Sequence, residues 1–242
     1  MKPFIRIAIS TKADTTSWSV GDALIKLFTE NSLTFPEFVS HNPDKFSQIF
    51  PGKDSCKDLW ASVAQIRANG STSEFHQDFC LRRKKAVKYR SSLSHRMINI
   101  RSQVVPASFD LSADWSDKIE WHSLFRSLCK VLKPQLAMLH LFTKSELCLI
   151  GENHNFAIGS FGAALDPKVY GVGWAMFYGD EFQKFDLKSI DSWGFEYEKI
   201  GDGYMVMATE KIGDILDDYY KFDARRNELK RHFPPGFFVE NF

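Results

Sequence analysis

The amino-acid sequence predicts an α+β fold of largely antiparallel sheets backed by helices. Strand-like runs come in groups with helical patterns between the groups, whereas a parallel sheet of βαβ units would alternate the two. The composition, 44% apolar and 25% charged over 242 residues, is that of a globular protein that needs neither disulfides nor metals to fold. We expect a single domain over residues 1–242, and the alternative is two lobes, about 1–108 and 109–242.

The first elements are predicted from periodicity and capping residues. Phe4–Ile9 alternates and is rich in β-branched residues, which indicates a strand. Thr16 or Ser17 should cap a helix whose apolar residues recur at helical spacing. Those apolar residues are Val20, Leu24, Leu27 and Phe28.

The next stretch is divided by prolines and by a second capping signal. Residues 34–50 should be irregular, with one short helix at about Lys45–Phe50. Asp54 or Ser55 should open a further helix, with Gly70 just past its end. Its apolar face would consist of Leu59, Val63 and Ile66. An extended block is expected over Ser71–Val105.

The second half contains the clearest helical stripe. Ser112 or Asp114 should cap a helix that ends at Pro134. Its buried stripe would be formed by Trp121, Leu124, Phe125, Leu128 and Leu132. Three strand-like runs follow, Ala137–Phe142, Phe156–Ala164 and Gly173–Tyr178.

The last region reads as a hairpin followed by a long helix. Glu196–Glu198 and Tyr204–Ala208 flank the turn Gly201-Asp-Gly203, as the two strands of a β-hairpin would. A short helix is expected at Asp180–Asp186, and the last helix at about Gly213–His232.

Charge is segregated along the chain. The segment Arg82–Arg101 contains eight Lys or Arg residues and no Asp or Glu, although the whole chain is only +1. Residues 143–242 contain 17 acidic and 11 basic side chains. A two-stranded ribbon carrying the basic segment could bind phosphates, with Tyr89 stacking on a base. A solvated edge strand, protected by its cations against pairing with other sheets, explains the same segment.

The cysteines and the N-terminus suggest a compartment. Cys56, Cys80, Cys129 and Cys148 show no CxxC spacing, which favours a reducing environment. Arg6 and the charges that follow it interrupt the first apolar run, so no signal peptide is expected. No run approaches the roughly 20 apolar residues of a membrane helix. We therefore expect a cytoplasmic protein.

The sequence offers weak signals for a catalytic or metal site. His76, Asp78 and Cys80 share one face of a predicted strand, but a zinc site needs three or four ligands, usually from separate elements. Cys148 lies in the apolar run Leu147–Ile150, where burial would raise the pKa of the thiol and make it inert. A hydrolase that pairs a cysteine with His140 or His154 is the enzymatic alternative.

Glycine-rich and acidic patterns also have plain explanations. Gly159-Ser-Phe-Gly162 and Gly171-Val-Gly173 match neither a P-loop nor a dinucleotide-binding fingerprint. The pair Asp217-Asp218 reads as a solvated helix face, because a two-metal site would need more converging carboxylates. We expect no enzymatic activity, no cofactor and no metal.

Motifs of the second half resemble the immunity protein 52 family. They are the helix Trp121–Leu132 ending in Lys-Pro134, the run Gly171–Gly179, the hairpin Gly201–Met207 and the terminal Phe233-Pro-Pro-Gly236. The similarity covers about residues 110–240 and consists of structural glycines and aromatics. These proteins are antitoxins of bacterial polymorphic toxin systems. The resemblance implies a stoichiometric inhibitor that binds a restriction-endonuclease-like nuclease toxin of type VI secretion in the cytoplasm.

Charge complementarity then indicates which residues would bind such a toxin. A nuclease presents a basic surface to nucleic acid, so an acidic patch on the inhibitor would steer association. Aromatic anchors would supply most of a nanomolar affinity, about 12 kcal/mol. The candidate toxin-binding residues are Asp180, Glu181, Trp193, Asp202, Asp214, Asp217, Asp218 and Tyr220. No small-molecule substrate or membrane partner is expected, and the alternative function is nucleic-acid binding through Arg82–Arg101.

Overall fold

The computed structural model describes residues 1–68 and 71–239, which form seven α-helices and sixteen strands. The helices are α1 (Trp18–Thr29), α2 (Trp121–Leu132), α3 (Lys144–Ile150), α4 (Asn155–Ile158), α5 (Leu187–Ser192), α6 (Asp214–Asp217) and α7 (Tyr219–Lys230). The strands are β1 (Phe4–Thr11), β2 (Phe38–Ser40), β3 (Gln48–Ile49), β4 (Val63–Ala68), β5 (Ser71–His76), β6 (Phe79–Arg83), β7 (Tyr89–Ser94), β8 (Met97–Ile98), β9 (Val104–Val105), β10 (Ala107–Asp114), β11 (Leu136–Phe142), β12 (Gly162–Ala163), β13 (Asp166–Pro167), β14 (Ala175–Tyr178), β15 (Tyr197–Ile200) and β16 (Gly203–Met207). The predicted α+β class is confirmed.

One antiparallel sheet of ten strands organises the molecule. Its strand order is β15-β16-β14-β11-β1-β10-β7-β6-β2-β3, and every neighbouring pair is antiparallel. The β4–β5, β8–β9 and β12–β13 pairs form separate two-stranded sheets. Strand β10 runs through the point near residue 108 where a division into lobes was predicted, so one sheet joins both halves of the chain.

Helices α1 and α2 cover one face of this sheet. Ile5, Ile7 and Ile9 of β1 are buried there, and Phe28 of α1 lies 6.4 Å from Phe109 of β10 between ring centroids. Helix α1 begins where predicted, because the Ser17 side chain accepts the Ser19 N–H. Removal of this apolar surface from water supplies the main driving force for the layer.

The opposite face is covered only in part. Over β11, the rings of Phe156 from α4 and Phe222 from α7 lie 5.2 and 5.7 Å from the ring of His140. Over β1, β10 and β7, this face carries small and polar side chains and leaves an open groove.

The hairpin predicted near the C-terminus is confirmed. Strands β15 and β16 pair with Ile200 opposite Gly203, so Gly201 and Asp202 form a two-residue turn. Gly201 has a φ of +58°, which suits glycine at the first central position of a hairpin turn.

Two helices predicted in the first half are wrong. Residues 48–49 form β3, and after Asp54 the chain makes only a 3-10 turn at Asp54–Cys56 before β4 begins. Val63 and Ile66 are β-branched and exposed, so their helical spacing did not reflect a buried helix face. Gly70, which was expected past the end of that helix, lies outside the described residues.

The predicted start of the central helix is also wrong. Ser112 and Asp114 belong to β10, whose residues alternate between buried and more exposed positions. Helix α2 begins at Trp121 and ends where Lys133 adopts a left-handed φ of +46°, directly before Pro134. The period of two in β10 outweighed the capping tendency of its serine and aspartate residues.

The segment after β11 is helical where a strand was predicted. Residues 155–158 form α4, because His154 caps the helix and Gly159, with a φ of +74°, ends it. Of the expected strand Phe156–Ala164, only Gly162–Ala163 is a strand, as β12. Cys148 lies in α3 and is exposed, so its predicted core position is wrong.

The long C-terminal helix is interrupted. Asp218 has an extended backbone, with a φ of −153°, and its side chain caps α7 by accepting the Lys221 N–H. The predicted helix at Asp180–Asp186 is reduced to a 3-10 turn at Asp180–Phe182, and Asp186 instead caps α5. Each aspartate begins a new element because its short side chain binds backbone N–H groups.

Candidate functional site

The predicted toxin-binding acids fall into two groups at opposite ends of the β15–β16 hairpin. Asp180, Glu181 and Asp202 lie at the turn end. Asp214, Asp217 and Asp218 lie beside the other end, where β15 begins and β16 finishes. The tertiary structure therefore separates acids that were predicted to form one binding site.

The second group lines a depression of about 820 Å³ between the hairpin and helices α6 and α7, which we call the acidic cleft. Three further acids that were not predicted from the sequence also line it: Glu196, Glu210 and Glu228. Among the described lining residues the basic side chains are Lys221 and Arg225. Six carboxylates against two cations produce a negative potential, which a concave protein surface focuses outward.

Backbone contacts hold two of the predicted aspartates in place. Asp218 Oδ1 accepts the Lys221 N–H at 3.0 Å, and Asp214 Oδ2 accepts the Lys211 N–H at 3.1 Å. A carboxylate at the start of a helix is also favoured by the helix dipole. Asp217 is exposed at the end of α6. The carboxylates of Asp214, Asp217 and Asp218 therefore lie close together on one side of the acidic cleft.

Arg225 connects α7 to the segment that precedes β15. Its guanidinium lies 3.7 Å from the ring centroid of Phe195 and donates to the carbonyl oxygens of Trp193 and Gly194 at 2.5 and 2.9 Å. It also donates to Glu228 Oε2 at 2.7 Å. Stacking and charged hydrogen bonds of this kind order one wall of the acidic cleft.

Both predicted aromatic anchors are exposed, and each is the neighbour in sequence of a residue that lines the acidic cleft. Trp193 is 51% exposed and precedes Gly194, and its ring packs edge-on against His232 at 5.2 Å. Tyr220 is 85% exposed and precedes Lys221. Aromatic residues are enriched among those that anchor protein interfaces, so both exposed rings remain candidates for such a role.

The first group of predicted acids is balanced by cations. Gln183 Nε2 donates to Asp180 Oδ1 at 3.1 Å and to the Asp202 carbonyl oxygen at 2.6 Å, which joins the two residues. Glu181 forms an ion pair with a lysine of the N-terminal segment. The lysines that line this depression of about 480 Å³ are Lys12, Lys130 and Lys133. This end of the hairpin therefore has a weaker negative potential than the acidic cleft.

A buried ionic network lies on the inner side of α7. The Nδ1 atom of His140 accepts the Trp174 N–H at 3.0 Å, so its Nε2 atom carries the hydrogen and donates to Glu146 Oε2 at 2.8 Å. Arg226 donates to Glu146 Oε1 at 2.5 Å and to Asp223 Oδ1 at 2.7 Å. The network anchors α3 and α7 to β11.

Glu146 is charged within this network although its side chain is fully buried. Burial alone would raise the pKa of the carboxyl, but His140 and Arg226 outweigh burial and lower that pKa to about 2. The position of α7, and hence of one side of the acidic cleft, depends on this ion pair. From the sequence, His140 was predicted only as a possible partner for a cysteine, and its place in this network was not predicted.

A second cleft lies on the open face of the large sheet, and we call it the sheet-face groove. It has a volume of about 460 Å³, and the loop that follows α4 forms one side. Alternate residues of β1, β10 and β7 form its floor in two rows across the strands. The rows are Arg6, Ser112, Arg90 and then Ala8, Asp110, Ser92, and all of these residues except Ala8 line the groove. The signal in the sequence was the alternation of polar Ser108, Asp110 and Ser112 with buried residues.

Asp110, on the floor of the sheet-face groove, has a raised pKa that makes the stability of the protein depend on pH. Burial raises the pKa of the Asp110 carboxyl to about 6, although the guanidinium of Arg6 opposes the shift. A raised pKa means that the folded protein holds the proton more tightly than the unfolded chain. The wild type therefore loses stability as the pH rises from the ordinary value of 3.8 through about 6.

Replacing Asp110 with asparagine should remove this loss. Relative to the wild type, the free energy of unfolding should rise by about 1–3 kcal/mol above the raised pKa and change little below about pH 4. Urea unfolding at both ends of this pH range measures the difference. Asp44→Asn, at an exposed residue on the rim of the sheet-face groove, is the control. An equal effect of Asp110→Asn at both pH values would contradict the prediction.

The structure does not assemble the metal ligands suggested by the sequence. Strand β5 ends at His76 and β6 begins at Phe79, and the two strands belong to different sheets. The His76 ring instead contacts the Ala61 carbonyl oxygen at 2.7 Å. Within residues 1–68 and 71–239, no group of three or more His, Cys, Asp or Glu side chains is placed to hold a metal ion.

The basic segment Arg82–Arg101 does not form a separate two-stranded ribbon. Strand β7 pairs with β10 on one side and β6 on the other, so it is not an edge strand. Glu37 accepts the backbone N–H groups of Lys84 and Lys85. Tyr89 is buried and its hydroxyl donates to the Thr34 carbonyl oxygen, which excludes the predicted stacking on a base. The cations are thus divided between strands and loops.

In the part of the chain that the structure describes, no helix combines the length and apolar character needed to cross a membrane.

Comparison with solved structures identifies a protein whose fold is similar to that of this chain. No family model matches the chain, and no curated protein is similar to it in sequence. Among solved structures, the fold is similar to that of the Pseudomonas aeruginosa T6SS protein PA0821, with a TM-score of 0.61 and 11% identity. The alignment covers 99% of this chain and 76% of that chain. The predicted membership of the immunity protein 52 family is not confirmed by these comparisons, and the likeness at this identity establishes the fold alone.

Proposed function

We propose that this chain is an immunity protein that binds a nuclease-type toxin of type VI secretion in the cytoplasm and neutralises it by protein–protein contact. It acts as a stoichiometric inhibitor with no reaction of its own. Within the immunity protein 52 resemblance, the member that we suggest as most similar is TsiT, which is paired with the nuclease effector TseT.

The acidic cleft is the observation that carries this proposal. A nuclease binds the phosphates of nucleic acid with Lys and Arg, and an inhibitor with six carboxylates in one depression complements such a surface. The exposed rings of Trp193 and Tyr220, which directly precede the cleft-lining Gly194 and Lys221 in sequence, would provide apolar anchors. The fold shared with a protein described as a T6SS protein agrees with a role in the same system.

Neutralising three aspartates of the acidic cleft should slow toxin binding. The triple variant Asp214→Asn, Asp217→Asn, Asp218→Asn removes charge while asparagine retains the ability to cap a helix. We expect the association rate constant with the toxin encoded by the adjacent gene to fall about ten- to a hundredfold at low salt. The wild-type rate should fall with added salt, and the variant should lose most of that dependence. Stopped-flow or surface-based kinetics measures both.

The turn end of the hairpin supplies a comparison within the same molecule. The triple variant Asp180→Asn, Glu181→Gln, Asp202→Asn removes the same number of charges from a region that three lysines balance. A smaller loss than in the acidic-cleft variant would support steering by the acidic cleft. An association rate that neither triple variant changes would refute electrostatic steering, and no complex with the toxin would refute the proposed function itself.

A further inference from the structure

The sheet-face groove contains two arginines that flank one serine across three adjacent strands. Arg6 of β1 lies opposite Ser112 of β10, and Ser112 lies opposite Arg90 of β7. Neighbouring strands are about 4.8 Å apart, so the Cα atoms of the two arginines are separated by roughly 10 Å. Two guanidinium groups at that spacing can reach the same small group from opposite sides.

Arg6 lacks a full set of partners inside the protein. Its Nε atom is buried and has no hydrogen-bond partner among the described residues. A buried donor without a partner costs about 1–3 kcal/mol, so its presence in a folded protein calls for a ligand or another explanation. Gly159 lies close above it, because a Cβ atom there would be 3.1 Å from Arg6 Cδ.

The charges around the groove do not neutralise the arginines by direct contact. The charged residues that line it are Arg6, Asp44, Arg90 and Asp110. Arg90 reaches Asp44 only at 4.0 Å, and the exposed Asp44 side chain is a weak partner. Among the described residues, Asp110 is not in ion-pair contact with either arginine, although its charge interacts with that of Arg6 through space. The groove is therefore a polar cavity with two cations that face solvent-accessible space.

We propose that the sheet-face groove binds a small molecule through an oxyanionic group, a phosphate or a sulfate, held between Arg6 and Arg90. Arginine presents several N–H donors in a planar fork that matches such oxygens. The hydroxyls of Ser92, Ser108 and Ser112 lie along the same floor and supply further donors. A volume of about 460 Å³ suits a small ligand and is too small for a folded partner.

Asp110 makes this binding depend on pH. It lies in the row next to both arginines, and its carboxyl is mostly protonated below about pH 6 and ionised above it. The ionised form repels an oxyanion, whereas the protonated form can donate a hydrogen bond to it. Affinity should therefore decrease as the pH rises through this range.

Sulfate is the probe for a direct test, because it stays a dianion over the whole pH range of interest. Sodium sulfate is added to the protein while sodium chloride is adjusted to keep the ionic strength constant. NMR follows the chemical shifts of the Arg6 Nε–H and of the backbone amides of Ser92 and Ser112. We expect saturable shifts at these groups and a dissociation constant at least about tenfold weaker in Arg6→Gln and in Arg90→Gln. Arg82→Gln should change the constant less than about twofold, since Arg82 is on the same sheet face but does not line the groove.

Further variants keep the test decisive. Arg90 is exposed, so Arg90→Gln should fold normally even if replacement of the more buried Arg6 does not. Asp110→Asn should bind sulfate equally well on both sides of about pH 6 and more tightly than the wild type above it.

A comparison of two phosphates identifies the class of ligand. Tighter binding of glycerophosphate than of inorganic phosphate would identify a phosphate ester, and equal affinities would identify a free oxyanion. Shifts that do not saturate, or that Arg82→Gln reduces as much as Arg90→Gln, would overturn the proposal. Toxin binding is not involved in any of these measurements, so they are independent of the proposed inhibitory function.

Discussion

Replacing Arg226 with methionine should lower the free energy of unfolding by about 3–5 kcal/mol, the largest single effect that we expect in this protein. The substitution leaves the carboxylate of Glu146 fully buried, with only the hydrogen bond from His140 to stabilise its charge. Methionine fills a similar volume, so the loss would come from the unpaired charge and not from a cavity. Chemical denaturation at neutral pH measures it.

The pH dependence of this effect identifies its cause. A carboxyl whose pKa is lowered to about 2 in the folded state stabilises the protein above its ordinary value of 4.5. That stabilisation is lost as the pH falls from about 4.5 to about 2. The difference between wild type and Arg226→Met should therefore be largest at neutral pH and shrink in acid.

Two further variants serve as controls for the ionic network. Arg231→Met removes an exposed arginine just past the end of α7 and should cost less than about 1 kcal/mol. Glu146→Gln should recover part of the loss when it is combined with Arg226→Met, because the amide no longer leaves a buried charge unpaired. Additive losses in the double variant would contradict a direct interaction between Arg226 and Glu146.

Replacing Gly203 with alanine should lower the free energy of unfolding by about 2–3 kcal/mol. A Cβ atom at this position would lie 2.6 Å from Phe177 Cε1 and 2.8 Å from the Tyr178 carbonyl oxygen. Phe177 is 3% exposed and the carbonyl belongs to the backbone of β14, so neither can move away at low cost. The added methyl group would instead push β16 away from β14.

Gly213 is the matched control for this steric effect. A Cβ atom there would meet no heavy atom within 4 Å, so Gly213→Ala should change the free energy of unfolding by less than about 1 kcal/mol. Thermal or urea unfolding of both variants provides the comparison. Equal losses in the two variants would contradict crowding against Phe177 as the reason for glycine at position 203.

The elements that the sequence predicted correctly are those in which one face is buried along the whole length. Strand β1 alternates against the α1–α2 layer, and the stripe from Trp121 to Leu132 becomes the inner face of α2. The helix predicted after Asp54 failed for the opposite reason. Val63 and Ile66 lie on an exposed hairpin, where spacing carries no information about a core.

The acidic cleft could be predicted in part. Asp214, Asp217 and Asp218 are close in sequence, so local charge density identified them. Glu196 and Glu228 join them only because α7 packs beside the start of β15. Likewise, nothing in the sequence around Asp180 and Asp202 distinguishes them from the other acids. The lysines that balance their negative charge come from segments distant in the chain.

Composition and periodicity alone determined the α+β class, the antiparallel hairpin at Gly201, the main apolar faces and the segregation of charge. These properties depend on residues that are near one another in the chain. Only the tertiary structure decided which charges share a site: Arg6 with Asp110 and Arg90, and His140 and Glu146 with Arg226. Coulomb interactions and burial depend on distances in space and not on separation along the chain. The ten-stranded sheet places charged residues from distant segments side by side, and the sequence does not reveal that they are neighbours.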